Sequence, residues 1–74
     1  MNAVSQRLKD SREAKGLTVP QAAAMIPVSR STWFRWETGV RKIGASKLPM
    51  VAKVVDVPAK ELRPDLAILV DEAM

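Results

Sequence analysis

Glycine and proline recur so often along this chain that no long helix can form. The longest stretch without either residue is the first 15 positions. The later helix-breaking residues are Gly16, Pro20, Pro27, Gly39, Gly44, Pro49, Pro58 and Pro64. Proline interrupts a helix because it lacks an amide donor, whereas glycine suits the left-handed residue that follows a helix. No stretch alternates polar and apolar residues for long enough to make a strand. We therefore predict an all-α fold, a compact bundle of about five short helices.

Local capping signals place the helix boundaries. The predicted helices span residues 2–15, 19–26, 29–38 and 49–56, with a short fifth helix that opens at Pro58. Thr18 and Gln21 have the spacing of a capping box, and Ser29 is the predicted cap of the third helix, which Gly39 ends. The fourth helix should bury an apolar stripe of Met50, Val51, Val54 and Val55. Helices 2 and 3 are separated by only a few residues, so they must cross steeply rather than lie antiparallel.

The C-terminal part of the chain, residues 60–74, differs in charge from the basic middle part. Residues 60–74 carry two basic and four acidic side chains, whereas residues 30–42 carry four basic and one acidic. Asp65 is a candidate cap for a final helix. Its apolar face would consist of Leu66, Leu69, Val70 and Ala73, at helical spacing. We divide the chain into a domain of residues 1–63 and a tail or short helix of residues 64–74, which is a candidate dimerisation segment.

The composition excludes most catalytic schemes. The chain has 74 residues, which is one domain, and it contains no cysteine and no histidine. It therefore lacks a thiol nucleophile, an imidazole base and the usual zinc ligands, and its carboxylates are scattered. We expect no enzyme activity, no metal and no cofactor. No apolar run approaches the roughly 20 residues that span a bilayer, so we expect a cytoplasmic protein without a membrane partner. The net charge of +4 favours a polyanionic partner.

The third helix separates its side chains into two faces. On a helical wheel, Trp33 and Trp36 lie together and predict the core face. The opposite face carries Arg30, Ser31, Phe34, Arg35 and Thr38. Arginine can bond a guanine edge in bidentate fashion, serine can bond a base or a phosphate, and phenylalanine can contact a thymine methyl group. We interpret these five residues as a face that reads bases in the DNA major groove, although solvated charges on an ordinary helix would give a similar pattern.

Residues 12–62 resemble the helix-turn-helix domain of phage Cro and lambdoid repressors, also called the xenobiotic-response-element-like family. The segments that carry the resemblance are REAKGLT, AAAMI, VSRSTWFRWETG and MVAKVVDVPAKEL. The resemblance implies that the third helix is the recognition helix and that Ala23 is the small residue where helices 2 and 3 touch. It also implies that Val28 and Trp33 are buried, and that Arg12 and Glu37 form a salt bridge beneath the recognition helix.

Two positions depart from the family pattern. Pro27 stands where the family usually has glycine, and proline cannot adopt a positive φ, so the turn must use different backbone angles. Val19 stands where many members begin helix 2 with a phosphate-binding glutamine. That contact is therefore absent or passes to Gln21.

Together these features predict a transcriptional regulator, most like a small Cro-type repressor, that binds double-stranded DNA. The expected phosphate contacts are Thr18, Gln21, Ser29, Arg41 and Lys42. One small domain binds a half-site weakly, so we expect a homodimer on a palindromic operator. The apolar seam of residues 66, 69, 70 and 73 would form the dimer interface or would pack within the monomer. We expect no small-molecule effector.

A second interpretation is an antitoxin-type protein. In it, the acidic segment 64–74 occupies a partner toxin, and DNA binding only regulates the protein's own promoter. ELRPDL at residues 61–66 is also similar to small relatives of that type. RNA binding is not indicated, because no stacking sheet or glycine-rich clamp motif is present.

Overall fold

The protein folds as a bundle of short helices. The structure is a computed structural model, and it describes residues 3–66. The helices are α1 Ala3–Ala14, α2 Val19–Met25, α3 Arg30–Thr38, α4 Leu48–Val55 and α5 Ala59–Leu62. Residues 64–66 form one further helical turn, and residues 3–66 contain no strand. The predicted all-α fold class is therefore confirmed, and the helix boundaries agree with the prediction to within one residue or so.

The capping residues form the bonds that their spacing predicts. The Thr18 amide donates to Gln21 Oε1 (2.9 Å), and the Gln21 amide donates to Thr18 Oγ1 (3.3 Å), which completes the capping box. The Thr32 amide donates to Ser29 Oγ (3.1 Å) at the start of α3. Gly39 ends α3 at a φ of 79°, a left-handed conformation that costs a residue with a Cβ about 1–2 kcal/mol. These bonds satisfy amides that the first turn of a helix would otherwise leave unpaired.

The helices pack around the side chains of α1 and α3. α1 contacts α3, α4 and α5, whereas α2 packs on α3, and α4 packs on α5. The most deeply buried large side chains are Trp33, Leu8, Ile26, Leu62 and Val51. α1 therefore holds α3, α4 and α5 together, and α3 lies between α1 and α2.

Pro27 lies in the turn between α2 and α3. The Ile26–Pro27 peptide bond is cis, and the Val28 amide donates to Ala23 O (2.8 Å) across the turn. Ala23 is buried, as the family resemblance implies for the point where the two helices meet. Val28 is only half-buried, although it packs against the core.

Two sequence predictions about packing are wrong. Met50 is 48% exposed rather than buried, because α4 begins at Leu48 and turns Leu48, Val51 and Val55 towards the core. On this helix Met50 lies about 100° away from Val51, which takes it off the buried arc. Asp65 is not a cap that precedes the final helix.

Asp65 instead lies inside the helical turn 64–66. Its carboxylate accepts from Arg63 Nε (3.0 Å) and Nη2 (2.7 Å), because the strong cation two residues earlier is within reach. Of the seam predicted beside it, Leu66 is half-buried and packs against the core, whereas Leu69, Val70 and Ala73 lie outside the described residues. No helix within residues 3–66 has the length and apolar character that crossing a membrane requires.

Candidate nucleic-acid interface

α3 presents one charged, open face to solvent and buries the other. Arg30, Ser31, Phe34 and Arg35 are exposed, and Phe34 is 60% exposed although it is the chain's one phenylalanine. Four of the five predicted base-reading side chains therefore lie on the open side of the helix. The fifth, Thr38, is half-buried, and its hydroxyl donates to Arg35 O (3.3 Å), which leaves its oxygen able to accept a bond.

The buried face of α3 is held by its two tryptophans. Trp33 is fully buried and Trp36 is 6% exposed. Their ring centroids are 5.5 Å apart, and the ring planes are tilted by 55°, an arrangement that aromatic pairs favour. The prediction that both tryptophans face the core is therefore confirmed. Because two large rings fill this side, α3 cannot rotate about its axis without opening a cavity, and the opposite face is fixed towards solvent.

A buried ion pair ties α3 to α1. Arg12 Nε donates to Glu37 Oε2 (2.6 Å), and Arg12 Nη2 donates to Glu37 Oε1 (3.1 Å). The two side chains are 10% and 5% exposed. This is the salt bridge that the family resemblance implies beneath the recognition helix. The hydrogen bond to Glu37 raises the pKa of Arg12, so the guanidinium stays charged although it is buried.

Two further bonds at this ion pair are additional to the implied salt bridge. The Trp33 indole N–H donates to Glu37 Oε2, and Arg12 Nη1 donates to Leu17 O (2.7 Å). The first of these could have been found from the sequence, because residues 33 and 37 are four apart on one helix face. The second depends on how the chain leaves α1 and has no sequence signal. Together the bonds join α1, α3 and the loop before α2 at one carboxylate and one guanidinium.

The cations of the open face are not neutralised by the protein. Arg30, Arg35 and Arg41 form no ion pair with any other residue in the range 3–66. Lys42 pairs with Asp65 at 3.5 Å, although its side chain remains 73% exposed. An unpaired guanidinium on an exposed helix face is hydrated, and it can exchange that water for a phosphate or a base edge. The positive charge of α3 and of the loop that follows it is therefore available to an anionic ligand.

The predicted phosphate-contacting residues fall into two groups. Thr18, Gln21 and Ser29 already use side-chain oxygens to cap α2 and α3, and Ser29 Oγ also lies 2.9 Å from Thr32 Oγ1. The Gln21 amide nitrogen remains as a donor. Arg41 and Lys42 are exposed in the loop after α3. The first group borders the two helices of the turn, and the second follows the end of the candidate recognition helix.

The described residues 3–66 contain no group of three or more acidic, histidine or cysteine side chains that could hold a metal ion.

Two short helices joined by a tight turn, with the second helix exposing an arginine-bearing face, define the helix-turn-helix class of protein. Residues 3–66 match a family model described as a helix-turn-helix domain, and the chain belongs to this family. Membership of this family indicates a DNA-binding regulator. No curated protein and no solved structure matches the chain.

Proposed function

We propose that this protein is a non-enzymatic, sequence-specific transcriptional repressor of the small Cro type, from a phage or prophage, acting in the bacterial cytoplasm. Residues 1–63 form its DNA-binding domain, and α3 enters the major groove. Repression is steric, because a bound protein excludes other proteins from the same stretch of DNA. Two copies on a palindromic operator supply the affinity that one small domain lacks.

The observation that carries this proposal is the division of α3 into a locked face and an open face. Trp33, Trp36 and Glu37 are buried, whereas Arg30, Phe34 and Arg35 are exposed beside them on the same helix. An exposed phenylalanine between two unpaired arginines has no role in the core. It fits a base-reading surface, where the guanidinium groups bond guanine edges and the ring meets a thymine methyl group.

The remaining side chains are proposed to position the protein on the duplex. Arg41 and Lys42 contribute charge to phosphates, and Gln21 offers its amide nitrogen. Thr18 and Ser29 contribute hydroxyls that already cap helices, so a phosphate would share them with the backbone. Such contacts fix register and orientation but carry no sequence information. They should therefore affect binding to all DNA equally.

The experiment that tests the proposal compares two DNA ligands over a range of salt concentrations. One ligand is the promoter region next to the protein's own gene, and the other is random duplex DNA of the same length. We expect the promoter to be bound about 10³-fold more tightly or better. Arg35→Ala should lower this preference by about 5- to 150-fold for each half-site, since a bidentate contact to a base discriminates by about 1–3 kcal/mol, while leaving most of the salt dependence.

Lys53→Ala is the matched control. It also removes one exposed positive charge, but Lys53 lies on α4, which packs on α1 and α5. This variant should keep the promoter preference. Equal, weak binding of the wild type to both DNA ligands would contradict the proposal and would favour a search for a protein partner of residues 64–74.

A further inference from the structure

The structure contains an open groove on the side of the bundle where the described chain ends. Its volume is about 280 Å³. It is lined by Val4, Ser5, Leu8, Trp36, Gly39, Arg41, Lys42, Ile43, Leu62, Arg63, Pro64 and Asp65. The apolar lining comes from α1, α3, α5 and the loop after α3, and the charged groups are three cations and one carboxylate. Its apolar lining belongs to the core, since Trp36 is 6% exposed and Ile43 is 3% exposed.

The chain itself continues directly from the wall of this groove. Pro64 and Asp65 line it, and Leu66, the next residue, packs half-buried against the core. The following eight residues read AILVDEAM. They place three large aliphatic side chains, at positions 68–70, immediately before two carboxylates, at positions 71 and 72.

We propose that the groove is the docking site of segment 67–74 of the same chain. The aliphatic side chains of Leu69 and Val70 supply the apolar contacts, and the carboxylates of Asp71 and Glu72 lie at the cationic rim. A dry cavity of roughly 150 Å³ holds one benzene molecule, so a groove of about 280 Å³ accommodates about two aliphatic side chains. The segment has the required apolar content within two consecutive residues.

The charges of the groove and the segment are complementary. Lys42 and Arg63 share Asp65, at 3.5 and 2.7 Å, whereas Arg41 has no ion-pair partner within residues 3–66. The three cations and one carboxylate leave the rim with two net positive charges. Segment 67–74 carries two negative charges and no positive side chain. A docked segment would therefore balance the charge of the rim. Because Arg41 and Lys42 are also the proposed phosphate contacts, the segment and DNA would compete for these two cations.

Covalent linkage favours the chain's own segment over that of a second copy. A short flexible connection gives an effective concentration in the millimolar range. A second copy at micromolar concentration would have to bind about a thousandfold more tightly to compete. The apolar seam therefore packs within the monomer, and a dimer on DNA uses another surface. This docking does not depend on the proposed function, and no DNA is needed to test it.

Trp36 provides the readout because it lines the groove, whereas Trp33 is fully buried elsewhere in the core. In the full chain, the double variant L69S/V70S should shift the NMR signal of the Trp36 indole N–H. In the wild type, nuclear Overhauser contacts should join the methyl groups of residues 69 and 70 to Trp36 and Ile43. These contacts should not change over a wide range of protein concentration.

A matched pair of variants on α1 tests the part of the groove that lies opposite residues 64 and 65. Val4→Glu places a carboxylate in the groove, and Ala3→Glu places one on an exposed neighbour in the same first turn of α1 that does not line the groove. Only Val4→Glu should reproduce the effect of L69S/V70S. An unchanged Trp36 indole N–H signal in L69S/V70S would overturn the proposal even if Val4→Glu fails to fold. So would contacts that appear only between differently labelled copies, which would identify a second copy as the occupant.

Discussion

Replacing only one partner of the ion pair between Arg12 and Glu37 should lower the free energy of unfolding far more, per substitution, than replacing both partners together. Glu37→Gln leaves the Arg12 guanidinium buried beside a neutral amide, and Arg12→Met leaves the Glu37 carboxylate with the Trp33 indole as its remaining side-chain partner. The double variant R12M/E37Q removes both charges. It keeps an oxygen that can accept the indole N–H, so no buried charge remains unpaired.

The burial of the pair sets the expected magnitude. The side chains are 10% and 5% exposed and share two bonds of 2.6 and 3.1 Å. Removing one partner of such a pair costs about 3–5 kcal/mol, because the other charge stays out of water. A chain of 74 residues has a total free energy of unfolding of roughly 4–11 kcal/mol. Each single variant should therefore lose a large fraction of its stability, whereas the double variant should lose less than the sum of the two.

The assay is urea unfolding followed by circular dichroism, with the slope of the transition checked for two-state behaviour. Glu61→Gln is the control, because Arg7 and Glu61 also pair, at 3.2 Å, but are 50% and 42% exposed. That variant should lose only about 0–1 kcal/mol. Losses in R12M/E37Q that equal the sum of the two single losses would refute the reasoning. So would a Glu37→Gln loss no larger than that of Glu61→Gln.

Three further predictions concern separate parts of the chain. Ser29→Ala should lower the free energy of unfolding by about 1 kcal/mol, because the Thr32 amide loses its cap, and Ser29→Asp, which keeps an acceptor, should not. The bond from Arg63 lowers the pKa of Asp65, so the stability from this pair is present above about pH 4 and lost as the pH falls below it. An NMR titration in which the Asp65 carboxyl has an ordinary midpoint would contradict this. Phe34→Ala should change the free energy of unfolding by less than about 0.5 kcal/mol, since the ring is exposed, yet weaken promoter preference in the DNA assay. A large loss of stability would instead assign the ring to packing.

The helix limits of this protein can be predicted from the sequence because their causes are local. Thr18, Ser29 and Gly39 act within one turn of the helices they cap or end, so the chain that surrounds them has little influence. The same is true of the direction of Trp33 and Trp36. Two large apolar side chains three apart on a nine-residue helix define its buried face whatever they pack against.

The open face of α3 is predictable for the same reason, since it is the remainder of the helix once the tryptophans are buried. The salt bridge of Arg12 and Glu37 is a different case. The two residues are 25 positions apart, and only the resemblance to a known family suggests that they meet. The additional bond from Trp33 to Glu37 lies within one helix and could have been inferred from spacing.

The wrong predictions and the missed features concern contacts that depend on how whole helices are placed. Met50 has the same apolar character as Val51, and its exposure follows from the rotation of α4 against α1 and α5. The Asp65 error is partly local, since its carboxylate pairs with Arg63 two residues earlier, and partly tertiary, since Lys42 also lies 3.5 Å from it. The groove beside Trp36 involves three helices and a loop, so no pattern along the chain reveals it. Local backbone bonding and helical periodicity are determined within a few residues, whereas these features depend on the packing of surfaces that are distant in sequence and meet only when the bundle closes.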